Sequence, residues 1–201
     1  CGRMDAAARR ALGLAFVPEE RLGRGAVPEM SLADNPLLTA YRKGMVTRGF
    51  VRGGAVREYA AQTIGAYGVK AGGPDATARS LSGGNLQKYI VGREIRQQPK
   101  VMIAAQPTWG VDVGAAAQIR QALLDLRDHG VAVLVVSEEL DELFEICDRL
   151  AVIAQGRLSD PKAVSETNAE EIGLLMAGSF IHQGTERAHA FSPAGVMNVQ
   201  E

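Results

Sequence analysis

Cysteine is scarce in this chain: 201 residues hold two, Cys1 and Cys147, too far apart in sequence to form a metal-type pair or a disulfide framework. That usage suits a reducing compartment. Long apolar runs are lacking as well. VAVLVV at 131–136 is among the longest, far too short to span a bilayer, and no charged-then-apolar leader opens the chain. Neither sign of charge dominates. Lys+Arg 22 against Asp+Glu 23 gives a formal net charge of -1, which excludes a global attraction to nucleic acid or anionic lipid. The arginine-rich stretch Arg42, Lys43, Arg48, Arg52 and Arg57 has no interleaved aromatic platform, so it reads as a solvated or partner-facing surface rather than a nucleic-acid site.

The remainder, 46% hydrophobic and 22% charged, fits a globular domain with one sizeable core. The chain opens on CGRMDAAARR rather than a start methionine, and LAFV at 14–17 arrives without an earlier element to pair with, the pattern expected of a fragment.

From about residue 80, two kinds of segment alternate. NLQKYIVGREIRQQ (85–98) predicts a helix, closed by Pro99. VMIAA (101–105) and VAVLVVS (131–137) are continuously apolar, the pattern of strands buried on both faces. Between them, Ile119, Ala122, Leu123 and Leu126 form a helical stripe that ends at Gly130. Leu140, Leu143, Phe144 and Cys147 repeat the spacing, which makes Cys147 a small core hydrophobe. LAVIAQGRL (150–158) closes the pattern as a strand and a glycine turn. Such alternation implies an α/β domain with a parallel sheet, whose ligands sit at the carboxyl ends of strands.

Residues 27–80 differ, with no buried strand and helical patches in SLADNPLLTAY and AVREYAAQTIGAYGV, hence a small helical insertion. Ser31 with Asp34 has the spacing of a capping box, and Val56, Ala60, Thr63, Ile64 and Tyr67 share one helical face. Beyond residue 160, only EEIGLLMAG (170–178) is periodic, and the rest of the tail is expected to fray.

LSGGNLQK (81–88) stands directly before a helix. Ser82 can cap that helix, and its hydroxyl, the N–H groups of Gly83 and Gly84 and the helix dipole suit a terminal phosphate. Alone, such a segment is an ordinary glycine-rich turn. Together with a helix, a buried strand, the turn QPTWGVDVGA, a second helix and a strand ending in SEEL, it resembles the ATP-binding cassette (ABC) ATPases of simple-sugar and nucleoside importers, over residues 13–178.

The resemblance implies a P-loop NTPase-like parallel sheet, truncated at its N-terminus. Its parts would be the Q-loop region in 1–26, a helical subdomain in 27–80, the signature-to-switch half of the core in 81–160 and a C-terminal helix and tail in 161–201. Ser82, Gly83, Gly84 and Asn85 would be the signature, which reaches across a dimer to the γ-phosphate of the opposite site. VMIAAQ would be the Walker B strand, GVDVG the D-loop with Asp112 at the dimer interface, SEEL the switch loop and VPEER the Q-loop, with Glu19 at the glutamine position.

The departures are specific. No G-x-x-x-x-G-K-[ST] occurs, so the loop that cradles phosphates is expected upstream. Ala105 and Gln106 stand where the family has Asp-Glu: a methyl cannot anchor a magnesium shell, and a neutral amide can orient water but not take its proton. Glu138 replaces the switch histidine and would repel a γ-phosphate. Glu19 could replace the missing metal ligand, though a solvent-facing loop carboxylate is the simpler reading. Trp109 is read as a packing residue.

The expected assembly therefore has a degenerate site here, with ATP and Mg2+ held by a dimer whose P-loop is not in this chain. The expected partners are the first nucleotide-binding domain of the same or a paired subunit, membrane permease subunits and, indirectly, a substrate-binding lipoprotein, at the cytoplasmic face of the membrane. A site that hydrolyses ATP at a useful rate despite these substitutions and a non-transport ABC scaffold stay open as alternatives.

Overall fold

The computed structural model describes residues 2–179; the fraying expected of 160–169 is not found, because Lys162–Ala163 pairs with Arg149–Leu150 and Val164–Glu166 forms a 3-10 turn, and the rest of that expectation falls on residues outside the described range. The chain divides into two compact units at 148/149.

The first unit begins with α1 (Ala6–Ala11), capped by Asp5 Oδ1 at 2.7 Å from the Ala8 N–H. Then comes β1 (Leu14–Val17), the segment that lacked an earlier partner. Its partner lies later in the chain: β1 runs parallel to the strand Val101–Ala105, with Leu14 opposite Val101 and Val17 opposite Ala104.

Residues 27–80 hold an exposed two-stranded hairpin, β2 (Val46–Thr47) with β3 (Phe50–Val51), and one long helix, α2 (Gly53–Ala66). Val56, Ala60 and Thr63 are buried on the expected face of α2, with Ile64 and Tyr67 half-buried beside them. SLADNPLLTAY is not an α-helix. It contains only a short 3-10 turn, Asn35–Leu38, because the Asn35 side chain competes for the local backbone. Its Nδ2 donates to the carbonyls of Val27, Met30 and Ser31 at 2.9–3.3 Å, and its Oδ1 accepts from the Val27 N–H at 2.9 Å. Ser31 and Asp34 do bond each other, Ser31 Oγ accepting from the Asp34 N–H at 3.0 Å, but as a turn rather than a helix cap.

The alternation downstream follows the sequence closely: α3 (Gly83–Ile95), β4 (Val101–Ala105), α4 (Val113–Asp128), β5 (Ala132–Val136) and α5 (Leu140–Ile146). The strands form a parallel sheet in the order β1-β4-β5. The strands are not buried on both faces, as continuous apolarity suggested. Ala15, Val17, Met102 and Ala104 point into the core with Leu86, Ile90, Ile119 and Leu123, whereas Phe16 (42% exposed), Leu134 (55%) and Val136 (50%) face outward. The reason is local: among the described residues helices cover one face, and β5 pairs on one edge only.

Gly92 in α3 is required by packing. A Cβ there would lie 2.4 Å from the Tyr67 ring of the helical segment, closer than any side chain tolerates. Cys147 packs against the same core just past α5, and burial, then the neighbouring Asp148 and Glu142 charges, push its thiol pKa up, as befits an unreactive core residue.

One buried polar cluster was not foreseen. Glu94, 0% exposed, accepts from Arg93 Nε at 2.9 Å, Thr39 Oγ1 at 2.7 Å, Arg10 Nη1 at 2.9 Å and Gln97 Nε2 at 2.8 Å, while Arg93 Nη2 donates to the Gly25 carbonyl at 2.8 Å. Tyr59 of α2 donates to the Arg93 carbonyl at 2.8 Å. The cluster thus joins α1, α2 and the loop after β1 to α3. Glu94→Ala leaves a buried guanidinium unpaired, so urea unfolding of the variant is expected to show a loss of about 3–5 kcal/mol. A loss under ~1 kcal/mol would mean that the cluster is only packing.

The second unit begins at Arg149. Its strands, β6 (Arg149–Leu150) with β9 (Lys162–Ala163) and β7 (Ile153–Ala154) with β8 (Arg157–Leu158), pair antiparallel. Residues 150–158 therefore do not extend the parallel pattern but fold back on themselves through Gln155 and Gly156, both at positive φ. α6 (Ala169–Met176) follows, capped by Asn168 Oδ1 on the Glu171 N–H at 2.9 Å.

Candidate functional site

The carboxyl ends of β4 and β5 lie side by side, and the loops that leave them carry the altered positions. Gln106 follows β4 at φ 48, a left-handed conformation, with its N–H donating to the Val136 carbonyl at 2.7 Å. Its Oε1 lies at long range from two groups of the next loop, 3.4 Å from Ser137 Oγ and 3.5 Å from the Glu138 N–H. Ala105 offers only a methyl at the strand end. The carboxylates of Glu138 and Glu19 are exposed and enter no ion pair among the described residues. No group of three or more His, Cys, Asp or Glu side chains among the described residues is placed to hold a metal. With a methyl and a neutral amide at the strand end, these residues do not fit a magnesium ion.

The N-terminus of α3 differs in character. Ser82 occupies the N-cap with extended backbone (φ -63, ψ 156), but its hydroxyl does not cap the helix, contrary to expectation. Asn85 engages it instead: Nδ2 donates to Ser82 Oγ at 2.9 Å, and Oδ1 accepts from the Lys70 N–H at 2.8 Å. Because the serine is turned to Asn85, the first N–H groups of α3 meet no acceptor among the described residues. They remain open to an anion, with the positive end of the helix dipole behind them. Ser82 and Gly83 are exposed, Asn85 half-buried and Gly84 buried.

Gly84 is needed because the next motif approaches closely. A Cβ on it would lie 3.0 Å from Asp112 Oδ2 and 3.2 Å from the Ala115 Cβ. Asp112 is the N-cap of α4, its Oδ1 accepting from the Ala115 N–H at 2.9 Å, so one of its oxygens is already used within the chain. Trp109 is 60% exposed and is not the packing residue that its rarity suggested.

Three side chains of the site escaped sequence reasoning. Arg21, from the loop after β1, donates to the Trp109 carbonyl, and its Nη1 would lie 2.9 Å from a Cβ on Gly83. Burial pulls its pKa below the ordinary arginine value. Gln87, buried in α3, donates from Nε2 to the Pro107 carbonyl at 2.9 Å. Glu142, buried in α5, accepts from Thr108 Oγ1 at 2.6 Å and Ser137 Oγ at 3.0 Å. Glu142 carries no distinguishing signal in the sequence, since an acid in the first turn of a helix reads as a solvated dipole partner.

No family model matches the chain. Sequence relatives do. The chain is 41% identical over 168 residues to the nucleoside import ATP-binding protein NupA of Lactococcus lactis subsp. cremoris, covering 83% of this chain and 33% of that protein. It is 42% identical over 168 residues to the guanosine import ATP-binding protein NupO of Bacillus subtilis, with the same coverage. A glucose import ATP-binding protein, TsgD13 of Haloferax volcanii, is 39% identical over 169 residues, covering 83% of this chain and 31% of that protein. The chain thus spans about a third of the length of these relatives. Among solved structures, an ATP-binding cassette captured as a post-hydrolysis dimer with ADP and Pi superposes with TM-score 0.66 at 21% identity, covering 81% of this chain and 68% of that one. A dimeric structure of a bacterial ABC transporter cassette gives TM-score 0.65 at 20% identity, covering 80% and 68%. At such identities the likeness is one of fold.

Proposed function

This chain is a homologue of sugar and nucleoside import ATP-binding proteins with the fold of an ABC ATPase cassette, and from that premise we propose that it completes an ATP site centred on another cassette while its own site is degenerate. One contrast carries the reading. Where β4 and β5 end, Ala105, Gln106 and Glu138 supply neither a metal ligand nor a base directed at a phosphate, whereas α3 presents uncapped N–H groups beside Ser82.

In this reading Ser82, Gly83 and Gly84 receive the terminal phosphate of an ATP whose P-loop belongs to the first cassette of the same or a paired subunit. Asn85 holds the serine hydroxyl in place and ties it to Lys70 of the segment after α2. Asp112 serves the dimer interface with the oxygen that does not cap α4. Residues 27–80 dock on a membrane permease, with a substrate-binding lipoprotein acting further out. The chain meets the membrane through that permease in this reading; no helix among the described residues is long and apolar enough to cross one. The transported substrate is a nucleoside or a simple sugar.

Gln106 tests the degenerate half of the reading. A neutral amide contributes no proton acceptor, and its contacts to the next loop are long. Gln106→Ala in the full-length subunit, assembled with its permease, is expected to leave ATP turnover within roughly twofold of the parent, well short of the ~10²–10⁴-fold that a working general base supplies. A fall of that larger size would make this site an active one.

A further inference from the structure

Glu142 is 4% exposed and has no basic partner within ion-pair distance among the described residues. Burying a carboxylate costs several kcal/mol unless hydrogen bonds offset it. Its bonds are to two hydroxyls, and these belong to different loops. Thr108 Oγ1 donates to Oε1 at 2.6 Å from the turn that leads to Asp112, and Ser137 Oγ donates to Oε2 at 3.0 Å from the loop that carries Glu138. Ser137 Oγ in turn accepts from the Glu139 N–H at 3.1 Å, which fixes the hydroxyl's direction.

At its start the turn 106–112 is anchored to the end of β5 by the Gln106 N–H, which donates to the Val136 carbonyl at 2.7 Å, but beyond Gln106 its internal bonds are weak. Within it, the Trp109 N–H reaches the Gln106 carbonyl at 3.3 Å and the Val111 N–H the Thr108 carbonyl at 3.3 Å, both long. From outside, Gln87 holds Pro107, Arg21 holds the Trp109 carbonyl and the Glu142 carboxylate holds Thr108. Of these three, only the last also grips the loop after β5, to which the turn itself adds two long contacts from Gln106 Oε1, 3.4 Å to Ser137 Oγ and 3.5 Å to the Glu138 N–H.

We propose that Glu142 is a positioning residue that locks the 106–112 turn to the 137–139 loop, so that the two move as one body. Apolar packing could not do this, because it lacks the directional bonds that set one loop's position by the other's. The consequence for activity rests on the reading above: the turn that Glu142 positions starts α4 at Asp112, which faces the partner cassette. A rigid turn then keeps Asp112, and Gly84 packed against it, in register with the ATP across the interface.

The test uses the full-length subunit and hydrogen–deuterium exchange read peptide by peptide. Glu142→Ala is expected to speed exchange of the Trp109 and Val111 amides roughly tenfold, the equivalent of one lost buried hydrogen bond, while peptides from the centres of α3 and α4 keep their protection. Thr108→Val, which keeps the carboxylate and removes one hydroxyl, is expected to do the same. Glu142→Gln preserves the shape and can bond both hydroxyls, so it should stay within about twofold of the parent. In the assembled ATPase, Glu142→Ala should lower kcat about tenfold with KM for ATP unchanged, the mark of geometry lost in the transition state rather than of weaker binding. Unchanged exchange in Glu142→Ala and Thr108→Val, or acceleration spread evenly along the chain, would overturn the lock. Faster exchange confined to the turn with kcat unaffected would support the lock and contradict the reading that the turn serves a partner's ATP.

Discussion

Ser82→Arg in the full-length subunit is expected to abolish ATP turnover and transport by the whole assembly, although the residue lies outside any site that this chain could run by itself. Ser82 is exposed at the N-cap, so a larger side chain should not disturb the core of the domain, and thermal unfolding should be close to that of the parent. The effect comes from position. An arginine there would project into the space before the first N–H groups of α3, displace the hydroxyl that Asn85 now holds and crowd the guanidinium of Arg21 beside Gly83. The arriving phosphate would lose both room and preorganised donors. Removing a single preorganised donor from a developing charge costs roughly 10²–10³-fold in rate, and blockade of the whole cradle should cost at least that. Activity within about twofold of the parent would mean that the N-terminus of α3 faces no nucleotide.

Much of this was legible in the sequence, for a physical reason. Period and punctuation are local signals, so α3, α4, β4 and β5 fall within a few residues of where the spacing of Ile119, Leu123 and Leu126, the run VMIAA and the stops at Pro99 and Gly130 put them. What failed was anything decided by a distant partner. LAFV seemed unpaired because its partner, β4, comes some 85 residues later in the chain, and VMIAA and VAVLVVS looked doubly buried because apolarity cannot reveal how many layers cover a sheet. SLADNPLLTAY has a helical pattern, but the carboxamide of Asn35 takes backbone partners that a helix would need.

The candidate site divides along the same line. Ala105, Gln106 and Glu138 stand out because a motif fixes which residue type each position requires, and type is visible in sequence. The use made of each group is not. Ser82 was expected to cap α3 and instead accepts from Asn85, and Asp112 spends one oxygen on α4. Glu142, Arg21 and Gln87 draw their importance from neighbours brought together only by folding: two hydroxyls, the Trp109 carbonyl and the Pro107 carbonyl.

The second large effect concerns the paired cassette. If this chain contributes a signature and no catalysis, every productive hydrolysis occurs at the other site, and one hydrolytic site suffices to drive the opening and closing of a permease. A neutral residue in place of that cassette's general base should then remove at least the ~10²–10⁴-fold that a positioned base supplies, with nothing here to compensate, since Gln106 cannot take a proton and a negatively charged Glu138 near a phosphate would repel it. The most direct measurement is steady-state ATP hydrolysis by the full-length subunit, assembled with its permease, after the catalytic glutamate of the first cassette is changed to glutamine. Hydrolysis at background, with ATP still bound, is the result predicted. Turnover that persists well above background would show that the site ending in Ala105 and Gln106 hydrolyses ATP itself.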